Sequence, residues 1–130
     1  MTISIGIDLT SADAVAQSLQ DHGARYLERV YTDRERRDCT QPSGGSDAER
    51  LAARFAAKEA TLKALRREDE SIPWTSIGVC SDRAGRPSLE LSGPAAALAR
   101  RRGVAELSVS LTHEGPFAAA VVVAHLQEAR

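Results

Sequence analysis

The sequence is short of the features that announce most protein classes. It has only two cysteines, Cys39 and Cys80, far apart and without metal-ligand spacing. That argues against a disulfide-stapled scaffold or a zinc finger, and the plain reading is two free thiols in a reducing compartment. It has no excess of charge of one sign: 17 Lys and Arg stand against 18 Asp and Glu, for a net charge of −1. No broad electrostatic surface for nucleic acid is expected. Its longest apolar run, Phe117 to Ala124, is too short to cross a bilayer. The start, Met1 to Asp8, has no basic leader and no apolar run of signal-peptide length, so a cytoplasmic protein without membrane contact is expected. Gly6-Ile-Asp8 is not a dinucleotide fingerprint, and there is no P-loop, Gly-x-Ser-x-Gly elbow, HExxH pair, internal repeat or low-complexity tract.

What remains is an ordinary globular composition. The chain has 130 residues, 42% hydrophobic and 27% charged, a length that favours one domain over 1–130 able to bury its own core. Ile3, Ile5 and Ile7 alternate with Ser4 and Gly6, a strand pattern ending at Asp8. Thr10 or Ser11 can cap a helix running to about His22, with Gly23 as its stop. Tyr26, Leu27 and Val30 suggest a short second helix, and Thr32 with Glu35 has capping-box spacing for a third. Cys39 to Gly45 reads as a loop. Ser46 with Glu49 then repeats the capping-box pattern before a long helix from about Asp47 to Arg67. Trp74 to Ser81 reads as a strand, Asp82 to Pro87 as a turn, and Ser88 to Leu91 as the returning strand. Gly93-Pro94 opens a helix that ends at Gly103. Strands through Leu107, Val109 and Leu111 to His113, and through Phe117 to Leu126, complete an α+β chain: an antiparallel sheet packed on a long central helix.

Four stretches could carry chemistry, and each has a plainer explanation. Asp8 follows an apolar strand and precedes a helix; taken alone, it is better explained as a cap or a solvated turn residue. In the central helix, Arg54 and Lys58 lie one turn apart on one face, with Glu59 and Lys63 on an adjoining stripe. Composition alone favours a surface helix laced with ion pairs. The alanines around these charges argue otherwise, because they let backbone and ligand approach closely. A carboxylate flanked by lysines there suits magnesium, which takes oxygen ligands, keeps waters and shares substrate phosphates. Ser108-Val-Ser110-Leu-Thr-His113 ends a strand with alternating hydroxyls and an imidazole; a lone strand-end histidine is more often structural than catalytic, but hydroxyls on one side of a strand can bind phosphate. Gly85-Arg86-Pro87 shows only a good hairpin turn.

Together and in order, these stretches resemble the holo-acyl-carrier-protein synthase family, within the phosphopantetheinyl transferase superfamily. The match rests on Gly6-Ile-Asp8, Arg54-Phe-Ala-Ala-Lys58-Glu59-Ala60 with Lys63, Gly85-Arg86-Pro87, Ser108-Val-Ser110-Leu-Thr-His113 and the strand from Ala118. The resemblance implies transfer of phosphopantetheine from coenzyme A to a serine of an acyl or peptidyl carrier protein, releasing adenosine 3',5'-bisphosphate. It implies Asp8 and Glu59 as ligands of Mg2+, and Lys63 against the phosphate chain. Arg54 and Lys58 are implied in coenzyme binding or local structure, Gly85 and Pro87 in the adenine pocket, and Ser110 and His113 near the nucleotide's phosphates. It further implies a homotrimer with active sites between subunits. For the serine proton, Glu59, a metal-polarised water or His113 could serve, and the water is preferred.

The chain departs from the family in the helix after Asp8. That helix usually holds an arginine that docks the acidic carrier, and here Thr10 to Ser18 has no Arg or Lys. Arg25, Arg29, Arg34, Arg36 and Arg37 follow downstream and either replace that contact or form a solvated face. The altered helix keeps a second reading open: a catalytically weak coenzyme A-binding homologue acting as an interaction or regulatory subunit.

Overall fold

The isoleucine alternation does form a strand, and it continues past its apolar residues: β1 spans Thr2–Ser11. The structure is a computed structural model and describes residues 2–128. Five helices and four more strands follow: α1 Ala12–His22, α2 Ala24–Val30, α3 Asp33–Asp38, α4 Ala48–Ala64, β2 Ile77–Ser81, β3 Pro87–Leu91, α5 Gly93–Arg101, β4 Val104–Glu114 and β5 Phe117–Leu126. β1, β5 and β4 form an antiparallel sheet with β5 in the centre, and β2 pairs with β3 as a separate hairpin.

The caps explain most boundaries. Ser11 starts α1 by accepting from the Ala14 amide, and Gly23 ends it with φ +54°. Thr32 and Glu35 close a complete capping box at α3. At α4 the expected Ser46–Glu49 box does not form. Asp47 is the cap instead, its carboxylate accepting from the Glu49 and Arg50 amides. An ionised acceptor suits the positive end of a helix dipole better than a hydroxyl does. The same helix ends at Ala64, short of Arg67, because Arg66 turns into the left-handed region with φ +55°. Its side chain ties that turn to the sheet, Nε donating to Ser4 Oγ at 3.2 Å. Trp74–Ser76 is a short 3₁₀ turn, so the strand expected from Trp74 begins only at Ile77.

The cross-strand register divides the sheet into two unlike faces. Asp8 pairs with Ala120, and Ala120 with Leu111; Ile7 pairs with Val121, and Val121 with Ser110. Directly paired residues point the same way, so the Asp8 row and the Ile7 row lie on opposite faces. The inner face receives α4 through small residues: Ala56, Ala57, Ala60 and Ala64 pack against Ala120, Val122 and Ala124. The contact is closest at Gly6. A Cβ there would run into the Ala60 carbonyl and come within 2.8 Å of the Ala64 amide. The outer face has no such cover, and Ile5, Ile7 and Leu9 stay 58%, 65% and 66% exposed.

Candidate active site

Glycine at position 6 lets α4 lie directly on β1, and this brings Asp8 and the far half of the helix together. Asp8 points to the inner face beside Lys63, whose ammonium stands 3.6 Å from Asp8 Oδ1 and donates to the Ile7 carbonyl at 2.8 Å. Thr10 Oγ1 donates to Asp8 Oδ2 at 2.8 Å, which leaves the carboxylate oriented. Glu59 lies one turn before Lys63 and is half-buried. Burial raises its carboxyl above the usual range; the nearby Asp8 charge adds to the rise, while Lys63 and Arg67 oppose it. The Asp8 charge thus bears on Glu59, although the two are far apart in sequence.

Asp8 beside Lys63, with the Asp8 charge acting on Glu59, makes this edge a candidate cation site. Among the described residues there is no group of three or more His, Cys, Asp or Glu that could hold a metal. The donor set fits a hard cation that draws its remaining ligands from water and phosphate. It would also relieve the repulsion that lifts the Glu59 carboxyl.

The other candidates fall in three places. Arg54 and His113 line one cleft of about 300 Å³, together with Arg50 and Thr112. Arg54 Nε is buried there without a hydrogen-bond partner. Gly85, with φ +83°, forms the exposed hairpin turn, and Pro87 begins β3. Ser110 is exposed on the outer sheet face, away from the side where α4 and Asp8 meet.

Lys58 corrects its assignment to cofactor binding. Its side chain is fully buried, with Nζ 2.7 Å from Glu35 Oε1. The ammonium also donates to the carbonyls of Trp74, at 3.1 Å, and Ile77. Every proton of the group is spoken for inside the core, so none is left for a ligand. Of the two roles open to it, local structure is the one it fills. Glu35, its partner, was legible only as a capping residue. Nothing in the sequence spacing links positions 35 and 58.

The model of the 4'-phosphopantetheinyl transferase superfamily matches residues 4–122. A holo-[acyl-carrier-protein] synthase of Paramagnetospirillum magneticum is 41% identical, covering 99% of this chain and 100% of its own. Among solved structures, the ACPS–CoA complex of Chronobacterium ammoniagenes superposes with a TM-score of 0.85 at 33% identity, covering 98% of this chain and 100% of that one. The Helicobacter pylori holo-[acyl-carrier-protein] synthase in complex with coenzyme A gives 0.80 at 27% identity, over 93% and 99%.

Proposed function

The chain belongs to the 4'-phosphopantetheinyl transferase superfamily, and from that premise we propose that it is a holo-[acyl-carrier-protein] synthase using coenzyme A as donor. The carrier serine oxygen attacks the phosphorus that bears the pantetheine arm, and its proton passes to water. The bond from that phosphorus to the bridging diphosphate oxygen breaks, and adenosine 3',5'-bisphosphate leaves. The observation that carries this reading is Lys63 beside Asp8, one helical turn from Glu59, whose carboxyl the Asp8 charge helps to raise. Asp8 and Glu59 would hold Mg2+, which when bound supplies positive charge against the diphosphate oxygens. Lys63 reaches the same place from the helix and can exchange its contact with Asp8 for a phosphate oxygen. The retention of all three groups in one cluster favours catalysis over a coenzyme A-binding subunit without transfer activity.

The two faces of the sheet support an assembly with sites between subunits. Asp8 and Ser110 point away from each other in one protomer, while the outer face is an apolar stripe that includes Ile5, Ile7 and Leu9, with Phe117 47% exposed at its end. Such stripes mark interaction surfaces. In a homotrimer, one protomer's hydroxyl-bearing outer face would lie near its neighbour's carboxylates, and Arg54 with His113 would serve the nucleotide end. The carrier would dock on Arg25 and Arg29 of α2, both exposed beside a cleft of about 360 Å³. No described helix is long and apolar enough to cross a membrane, and both cysteines are free.

The test is direct. Protein, apo-carrier, coenzyme A and magnesium are mixed, and the carrier is weighed by mass spectrometry. A gain of one phosphopantetheine is expected, and Glu59→Gln should abolish it with the fold intact. Full activity in that variant would remove the metal assignment. Arg25 and Arg29 reversed to Glu should raise KM for the carrier and leave KM for coenzyme A unchanged.

A further inference from the structure

Lys58 touches no open cleft, yet it is the residue immediately before Glu59. Its ammonium and the Glu35 carboxylate form a pair with no solvent exposure, 2.7 Å apart. Glu35 is itself tied down: Oε1 accepts from the Thr32 amide at 2.8 Å and Oε2 from the Val79 amide at 2.9 Å. Lys58 continues the network to the Trp74 and Ile77 carbonyls. One ion pair thus joins α3, α4, the 3₁₀ turn and β2. Buried pairs of this kind contribute little more to stability than apolar residues of the same size, so stability alone is a weak reason for one.

The geometry gives another reason. Successive residues of an α-helix point about 100° apart. Lys58 is anchored in the core, the Ala60 carbonyl is seated against Gly6, and Glu59 lies between them. Any roll of α4 that carried Glu59 away from Asp8 would pull Lys58 off three acceptors or drive the helix backbone into β1. We propose that the Glu35–Lys58 pair is a positioning device for Glu59, fixing the roll of α4 and through it the affinity of the Asp8–Glu59 pair for a divalent cation. Neither residue touches substrate. The inference rests on the reading of Asp8 and Glu59 as a cation site.

The test measures Mn2+ binding by the loss of its free electron paramagnetic resonance signal, in the presence of coenzyme A, alongside thermal unfolding. Three variants loosen the device in increasing degree: Thr32→Ala, which removes the hydroxyl that holds the Glu35 amide, Glu35→Gln and Lys58→Met. Leu98→Ala is the control, a fully buried residue packed with Leu65 and Ala99, whose loss destabilises the fold without touching the pair. The Mn2+ dissociation constant should rise through the series, by about tenfold or more in Glu35→Gln, and the magnesium needed for half-maximal transfer should rise with it. Leu98→Ala should lower the Tm and leave the constant within about twofold. The proposal is overturned if folded Glu35→Gln binds Mn2+ as the wild type does, or if Leu98→Ala weakens binding as much for the same loss of Tm. Thr32→Ala decides the matter if the harsher variants do not fold: unchanged binding there sinks it. Failure of the wild type to bind Mn2+ at all would instead strike the cation site on which the inference rests.

Discussion

Residues 58 and 59 are neighbours on one helix, and each is paired with an opposite or like charge from a distant segment, but their surroundings make them opposites. Lys58 and Glu35 are sealed from water, and their remaining hydrogen-bonding groups are met by backbone. Asp8, Glu59 and Lys63 meet at a part-open edge, where Lys63 is 54% exposed on its side chain and the two carboxylates repel. The first cluster is satisfied, so it can hold geometry. The second is frustrated, so it can bind something. Burial pulls the Lys58 ammonium below the usual lysine range, and the Glu35 charge and hydrogen bond resist that pull. A completed charge network belongs to the scaffold, and an incomplete one beside it is the candidate for the chemistry.

The largest effect should come from breaking the completed cluster. Lys58→Ala leaves Glu35 as an uncompensated buried charge, and it should cost about 3–5 kcal/mol in urea unfolding. A loss below about 1 kcal/mol would mean that the pair is hydrated and that the two clusters do not differ in this way. Next comes the contact that joins the two clusters. Gly6→Ala forces β1 and α4 apart at the Ala60 carbonyl. An overpacking cost of about 1–3 kcal/mol is expected, and transfer activity should fall further than stability because Asp8 moves with the strand. The smallest effect should come from the frustrated cluster, with its sign reversed. A carboxyl raised above its unfolded value of 4.5 favours the fold when protonated, so its contribution falls as pH rises through that value and beyond. Glu59→Gln should therefore raise the unfolding free energy at pH 7, by less than about 1 kcal/mol because the site is solvent-screened, and the Tm with it. The gain should vanish below pH 4.5, where the wild-type side chain is neutral as well. A loss of Tm at neutral pH would show that Glu59 belongs to the scaffold after all.

The elements were legible where chemistry is local. Ser11 with Gly23, Thr32 with Glu35, and Gly93-Pro94 bound their helices as capping rules require. Local rules missed where a longer reach decided. Asp47 outcompetes Ser46 as the cap of α4, and Arg66 takes a left-handed turn whose side chain is satisfied by Ser4, far away on β1. The carboxylate pair was legible only through resemblance, because no spacing rule brings position 8 to position 59. Lys58 was misassigned for the same reason. A lysine in a charged helix looks solvent-facing until its buried partner is known. Gly6 stands in a motif in the sequence, but its physical job lies in the fold, where the Ala60 carbonyl occupies the place of a side chain.

The uncovered sheet face has a consequence for the protein's economy. A lone protomer carrying Ile5, Ile7 and Leu9 in water is prone to adhere to whatever apolar surface it meets. If copies of the chain cover that stripe, as proposed, usable protein is tied to abundance by mass action. Dilution would then act as an off-switch without any dedicated regulator, and freshly made chains would stay idle until enough of them had accumulated to find one another.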